Sequence, residues 1–235
     1  MMKNRTAPVT EIFSSLQGEG PYAGVKQVFV RFYDCNMRCR WCDTPQSLPE
    51  HAARPPEQDT QQVFQQVVSL WGHCHSVSLT GGEPLLQAPF LQNLLPRFRK
   101  SGMPVYLDTN GILFAELEAV IPDVDIIAMD IKLPSSTGER EYWREHEQFL
   151  HIAQNRPVQV FIKTVVSRTT DKADMIKAAE LIARQDAGLL MVIQPCSQDR
   201  EAGALERCLE YQDCCLEIIS NVRVLPQWHT LMNLR

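Results

Sequence analysis

Nowhere in its 235 residues does the chain hold an uninterrupted apolar run long enough to cross a bilayer, which excludes a helical membrane span. Its beginning, Met1 to Thr6, leads into polar and mixed sequence and not into an apolar secretion core, so a cytoplasmic protein with no membrane partner is expected. Positive charge is also in short supply. The 23 Lys and Arg against 28 Asp and Glu leave a net charge of −5, which argues against a general polyanion-binding surface and against nucleic acid as a direct partner. There is no repeat of fixed period and no low-complexity tract, so a solenoid is excluded. The length suits one large domain with a real core.

A fourth cysteine is missing where three gather. Cys35, Cys39 and Cys42 are spaced C-x3-C-x2-C within Asp34-Cys35-Asn36-Met37-Arg38-Cys39-Arg40-Trp41-Cys42-Asp43-Thr44. A disulfide among them would leave an odd thiol, so a metal or cluster site is favoured. A closed zinc site wants four N/S ligands and an electron-carrying cluster usually has four cysteines. Three thiolates leave one position open, and on a four-iron cluster that is one iron accessible to a small molecule. Arg38 and Arg40 interrupt the run, which fits three unrelated core cysteines poorly. The other five cysteines, Cys74, Cys196, Cys208, Cys214 and Cys215, form no C-x2-C pair and read as buried or half-buried thiols. An auxiliary cluster on Cys208, Cys214 and Cys215 is disfavoured because adjacent cysteines on a helix point to different sides.

Along the chain, Val9 to Gly20 opens with alternation and closes in a glycine-containing turn, and Val28 to Tyr33 reads as a strand entering the cysteine loop, with Arg31 on the face opposite Val30 and Phe32. Pro45 to Pro56 is proline-rich and irregular. Thr60 is placed as the N-cap of a helix carrying Val63, Phe64, Val67, Val68 and Trp71. Strands and helices then alternate: strands at Ser76–Leu79, Pro104–Asp108, Asp125–Ile131, Val158–Val166, Leu189–Gln194 and Val222–Leu225, with helices at Phe90–Arg99, Phe114–Ile121, Glu139–Ala153, Ala173–Gln185 and Ala202–Ile219. Strands as apolar as Ile126 to Met129 fit a parallel sheet buried on both faces. Such units make right-handed crossovers in an open sheet or a barrel, and about six helices fall short of the eight of a full barrel.

Ligands of such folds bind at the carboxyl ends of strands, and polar residues stand there in number. They are Thr80-Gly81-Gly82-Glu83-Pro84, Asp108-Thr109-Asn110-Gly111, Asp130-Ile131-Lys132, Lys163-Thr164 and Gln194-Pro195-Cys196-Ser197.

The cysteine spacing followed by Trp41-Cys42-Asp43 resembles the cluster loop of the radical S-adenosylmethionine (SAM) superfamily, and Gly81-Gly82-Glu83-Pro84 is similar to that superfamily's second hallmark. The resemblance implies an incomplete TIM-type α/β barrel, (β6/α3)-like, with a flavodoxin-like open sheet as runner-up. It implies a 4Fe-4S cluster on Cys35, Cys39 and Cys42, whose open iron chelates SAM and cleaves it to a 5′-deoxyadenosyl radical. SAM contacts would fall on Trp41, Cys42, Asp43, Gly81, Gly82, Glu83, Asp108, Thr109, Asn110, Lys132 and Gln194.

The two ends of the chain, Leu16-Gln17-Gly18-Glu19-Gly20 with Arg31 and Asp43-Thr44, and Val222 to Leu231 with Pro226-Gln227-Trp228-His229, resemble the 7-carboxy-7-deazaguanine synthase family. This implies conversion of 6-carboxy-5,6,7,8-tetrahydropterin to 7-carboxy-7-deazaguanine with loss of ammonia, in queuosine and deazapurine biosynthesis. Mg2+ would be held partly by Thr44, and SAM would be regenerated. Substrate contacts would fall on Leu16, Gln17, Gly18, Glu19, Arg31, Thr80, Gly82, His229 and the terminal carboxylate of Arg235. The family also implies an electron donor such as flavodoxin or ferredoxin, and a homodimer. One domain, 1–235, is expected to comprise an N-terminal substrate loop (about 9–27), the cluster loop 34–44 and a tail 222–235 covering the barrel mouth.

Each residue has a plainer reading: Glu19 capping a turn, Arg31 a surface cation, His229 a satisfied core histidine, Lys132 a solvated strand end. The family pattern closes strand four with Ser-Pro-Lys, where this chain has Asp130-Ile131-Lys132, a form more like glycyl-radical-enzyme activases. An activase is therefore the alternative enzyme, and a non-catalytic zinc- or cluster-binding module the alternative outside enzymes.

Overall fold

The computed structural model describes residues 6–199 and 203–232. Its first elements are β1 (Thr6–Leu16), β2 (Lys26–Phe32), β3 (Glu57–Asp59), α1 (Thr60–Trp71), β4 (Ser76–Gly81) and α2 (Ala88–Lys100). Then come β5 (Val105–Thr109), α3 (Phe114–Val120), β6 (Ile126–Asp130), α4 (Pro134–Thr137), α5 (Trp143–Gln154) and β7 (Gln159–Val166). The chain continues through α6 (Lys172–Asp186), β8 (Met191–Pro195), α7 (Ala204–Leu216), β9 (Val222–Val224) and α8 (Trp228–Leu231).

The nine strands among the described residues share one sheet in the order β3-β1-β2-β4-β5-β6-β7-β8-β9. From β2 to β9 every pairing is parallel, while β1 runs antiparallel to β2 and to β3. Because the parallel strands follow one another in chain order, right-handed crossovers put all their helices on one face, and the sheet curls into an incomplete barrel. A flavodoxin-like sheet needs a reversal of strand order, and none occurs here. The expected partial barrel is therefore observed, with seven parallel strands in place of six and an antiparallel pair on the β2 edge.

The period-two alternation of the strands sorts two cores. Outward residues such as Leu79, Leu107, Ile127, Ile162 and Ile193 pack under Phe90, Leu94, Phe98, Phe149 and Ile182 of the helices. Inward residues Tyr106, Ile126, Ala128, Phe161 and Val192 plug the lower barrel, with Tyr22 packed edge-on to Tyr106 at 5.7 Å between ring centroids. Two positions further along the same strands, and so on the same inner face, come Asp108, Asp130, Lys163 and Gln194. The barrel interior is thus apolar below and charged above.

Several boundaries differ from expectation. β1 occupies most of the stretch expected as a loop, leaving a short connection after Leu16, and a short strand, β3, follows the proline-rich segment. Helix α1 is capped by Asp59, whose carboxylate accepts from the backbone N–H groups of Gln61 and Gln62 while Gln62 reaches back, so Thr60 is the first helical residue and not the cap. The helix expected from Glu139 begins only at Trp143, because Gly138, at φ +80°, ends the separate turn α4. Helix α7 is described from Ala204, and Ala202 lies outside the described residues. Among the described residues no helix is long and apolar enough to cross a membrane.

Candidate active site at the open end of the barrel

The cysteine loop leaves β2 through Asp34, which adopts a left-handed backbone at φ +73°. Asp can do so because its short side chain bonds locally, and here Asp34 Oδ1 accepts from the Cys35 N–H at 2.7 Å. The Arg38 guanidinium donates to the carbonyls of Cys35 and Met37, which shapes the loop from outside. Trp41 donates its indole N–H to Ser136, and the Lys132 ammonium sits 4.8 Å above its ring. All three cysteines border one cavity of about 680 Å3 at the carboxyl ends of the strands.

Gly81 and Gly82 are bare for a reason other than a ligand. A Cβ on Gly82 would stand 1.9 Å from the Asp34 carbonyl oxygen, and one on Gly81 2.2 Å from that of Phe32. The end of β4 lies directly on the root of the cysteine loop, and the Glu83 N–H closes the contact on Asp34 O at 2.9 Å. Glu83 was expected to meet SAM, but it is fully buried and does not border the cavity. Its carboxylate accepts from the Leu85 and Asn110 N–H groups and from the Thr109 hydroxyl, tying the ends of β4 and β5 together. Burial pushes its carboxyl up to about 7 against those bonds.

Above the aromatic plug a buried charge network forms the cavity floor. Lys163 on β7 pairs with Glu19, and lies 3.6 Å from Asp130 and 3.7 Å from Asp108. Lys132 holds the same Asp130 oxygen at 2.8 Å, and Thr80 donates to Asp108 at 3.1 Å. Burial disfavours both ammonium ions, yet the neighbouring carboxylates outweigh it and raise both lysines above their usual value. Asp108 is shifted up, first by burial, with Lys163 opposing.

The two chain ends meet over this floor. Glu19 follows β1, and its N–H is fixed by Gln17 Oε1, while Gln17 Nε2 donates to Gln27 and Gln27 to Ser76. The Glu19 carboxylate also accepts from Gln194 at 3.2 Å and from Gln227 at 2.6 Å. Burial raises its carboxyl, but Lys163 and Gln227 prevail and hold it at about 2. Gln227 donates to Asp43 as well, at 2.9 Å, and the Trp228 N–H donates to Gly18 O at 2.8 Å. His229 lies so close that a Cβ on Gly18 would be 2.2 Å from its Nδ1. Donor atoms of Glu19, Asp43 and His229 fall within 4.8 Å of one another. On the β1–β2 rim Arg31 is paired with Glu11 at 2.8 Å, its cross-strand partner, and lies over the Phe13 ring.

Of the predicted site residues among those described, every one but Glu83 borders this cavity. Arg235 lies outside the described residues. Asn110 borders it with its side chain engaged by Asn36 and the Ile112 N–H, and Gln17 with its amide turned into the loop. Lys163, Asp130 and Gln227 are cavity residues to which sequence reasoning gave no role; the signal was their place at strand ends and in the tail motif.

The donor set fits the implied cofactors. Without a cation, burial pushes Cys35 up to about 12, with Glu83 adding to it, and Cys39 up to about 11, a penalty that bound iron would reverse. Asp130 Oδ1 and Gln194 Oε1 are buried without a hydrogen-bond partner beside the same cavity, as expected of groups that serve a bound molecule.

Comparison with known proteins agrees. Residues 29–182 match the radical SAM superfamily. The chain is 38% identical to a 7-carboxy-7-deazaguanine synthase of Geobacter sulfurreducens, covering 98% of this chain and 99% of that one. It is 34% identical to the enzyme of that name from Methanothermobacter thermautotrophicus, over 97% and 98%. Its fold is similar to the crystal structure of QueE from Escherichia coli, with a TM-score of 0.65, 22% identity and 93% of each chain covered. These full-length likenesses set aside both the activase and the non-catalytic module, and the chain belongs to the 7-carboxy-7-deazaguanine synthase family of the radical SAM superfamily.

Proposed function

We propose that this radical SAM lyase converts 6-carboxy-5,6,7,8-tetrahydropterin to 7-carboxy-7-deazaguanine with loss of ammonia, the product being the one for which its relatives are named. The observation that carries the reading is the meeting of both chain ends, through Glu19, Gln227 and His229, over the cavity that the three cysteines border. The 4Fe-4S cluster would be held by Cys35, Cys39 and Cys42, and with SAM it would supply the radical chemistry needed to remove the C6 hydrogen of the substrate. The residues of this chain then bind and orient. Gly81, Gly82, Trp41, Asp108, Thr109, Lys132 and Gln194 form the SAM side, whereas Glu83 supports that side from behind. Arg31 receives the substrate carboxylate, its guanidinium braced by Glu11. The Glu19 carboxylate and loop carbonyls receive the donors of the pyrimidine edge, and Thr80 and His229 border the ring.

Mg2+ belongs at Thr44, a hard oxygen ligand next to the exposed Asp43. The chain works as one domain, in the cytoplasm, with an electron donor such as flavodoxin or ferredoxin. A homodimer is supported by exposed Leu205, Leu209 and Leu216 on α7 and by Trp228, Leu231 and Met232 at the tail.

Anaerobic reconstitution with iron, sulfide, SAM, reductant and the carboxytetrahydropterin is expected to yield the deazaguanine, with Cys35→Ala, Cys39→Ala or Cys42→Ala each losing cluster and product. In a magnesium titration Thr44→Ala shifts the requirement upward. Fully loaded protein that cleaves SAM but makes no deazaguanine overturns the reading.

A further inference from the structure

Glu19 is carried by a loop, so nothing in the loop's own backbone dictates where its carboxylate points. Three side chains from other elements do: Gln194 and Gln227 donate to Oε1, and Lys163 to Oε2. A carboxylate offers about four acceptor sites. One therefore stays open on a group that borders the cavity. Of the three donors only Lys163 brings charge. Its ammonium has three N–H groups, and three carboxylates, from the loop, β5 and β6, surround it. Lys163 thereby ties the position of Glu19 to two barrel strands.

We propose that Lys163 is a positioning residue for substrate discrimination, holding Glu19 as an anion turned to the cavity so that it selects a heterocycle edge presenting N–H donors. The proposal rests on the pterin reading above and deepens it. A 2-aminopyrimidinone edge offers its amino N–H to the open acceptor site of that anion, whereas the same ring with a 2-oxo group in place of the amino group presents an acceptor there instead. Removing Lys163 leaves Glu19 facing Asp108 across the floor, with Asp43 and His229 the other titratable groups at its side. Like-charge repulsion then turns the carboxylate away or protonates it. Either outcome destroys the preference, because a carboxyl O–H donates where the carboxylate accepted.

The test is anaerobic calorimetry on the reconstituted, SAM-loaded protein with two stable ligands, pterin-6-carboxylate and lumazine-6-carboxylate. Wild type is expected to prefer the pterin by about tenfold or more, the scale of one hydrogen bond to a charged group. In Lys163→Met the ratio falls to near one, as it does in Glu19→Gln, and Lys163→Met/Glu19→Gln shows no further fall. If Lys163→Met weakens both ligands equally and keeps the ratio, Lys163 is merely structural and the proposal is overturned. Wild type binding both ligands equally overturns the proposal alone, and wild type binding neither overturns the pterin reading with it. Should Lys163→Met not fold, Lys163→Met/Asp130→Asn, which also removes one of the opposed carboxylates, is read against Asp130→Asn with the same two outcomes.

Discussion

Gly82 rests on the carbonyl oxygen of Asp34 with room for a hydrogen and nothing larger, since a Cβ would stand 1.9 Å away. Backbone meets backbone there, so neither partner can rotate aside. Gly82→Ala is expected to destabilise the fold by about 3 kcal/mol, at the upper end of overpacking costs. It should also displace the cysteine loop. Urea unfolding measures the first effect and iron per chain after reconstitution the second. An unchanged midpoint with full iron would show that the two loops are looser than the structure has them.

Gln227 spends both amide hydrogens on carboxylates of two different loops, Glu19 and Asp43. Gln227→Ala is expected to release the tail, with a loss of about 2 kcal/mol from two hydrogen bonds to charged acceptors. Gln227→Glu should cost more, because it adds a third negative charge between the two. Hydrogen exchange checks this directly: the Trp228 amide, bound to Gly18 O, loses protection while the amides of β5 to β7 keep theirs.

His146 is fully buried between two loops of the site, with Nδ1 against Gly111 O at 3.0 Å and Nε2 accepting the Lys132 N–H at 3.1 Å. The bond at Nε2 requires the neutral ring, and burial lowers the pKa from 6.5 to about 4 against the opposing pull of the Gly111 carbonyl, which accepts from Nδ1–H. The folded state thus binds fewer protons than the unfolded state between those values, so stability is complete above about pH 6.5 and falls as pH drops toward 4. The loss across that window is about 3 kcal/mol. His146→Gln should remove most of this contribution, so the difference in unfolding free energy between pH 7 and pH 4.5 should shrink relative to wild type.

The barrel and its rim were legible because they rest on period and position. Alternating apolar strands followed by Asp108, Lys132 or Gln194 announce a parallel sheet with chemistry at its carboxyl ends, and the structure has those residues around one cavity. What was not legible depended on what lies across space. Glu83 follows two glycines in sequence as a ligand-binding acid would, and only the fold reveals that it is buried away from the cavity, accepting from the N–H groups of Leu85 and Asn110 and the Thr109 hydroxyl. A lysine in a strand reads as solvated, so Lys163 drew no role until three carboxylates from elsewhere were found around it. Thr60 satisfies the cap preference as well as Asp59, and the helix register alone decides between them. The N-terminal strand β1 was read short because its alternation fades at Ser14-Ser15, where the pairing to β2 continues through Gln27 and Lys26.

Strand order in the parallel sheet follows chain order, so each pairing after β4 joins neighbours in sequence and the barrel can assemble by successive short-range additions, the kind that fold quickly. The bond from Gln227 to Glu19 is of another kind, spanning 208 positions. Among the described residues this bond and that of the Trp228 N–H to Gly18 O join the two ends of the chain, so the longest closures fall at the mouth of the cavity and not in the scaffold. A nascent chain can own a finished barrel before it owns a finished mouth, and the tail arrives last, as the clasp that ties the Glu19 loop to the cysteine loop.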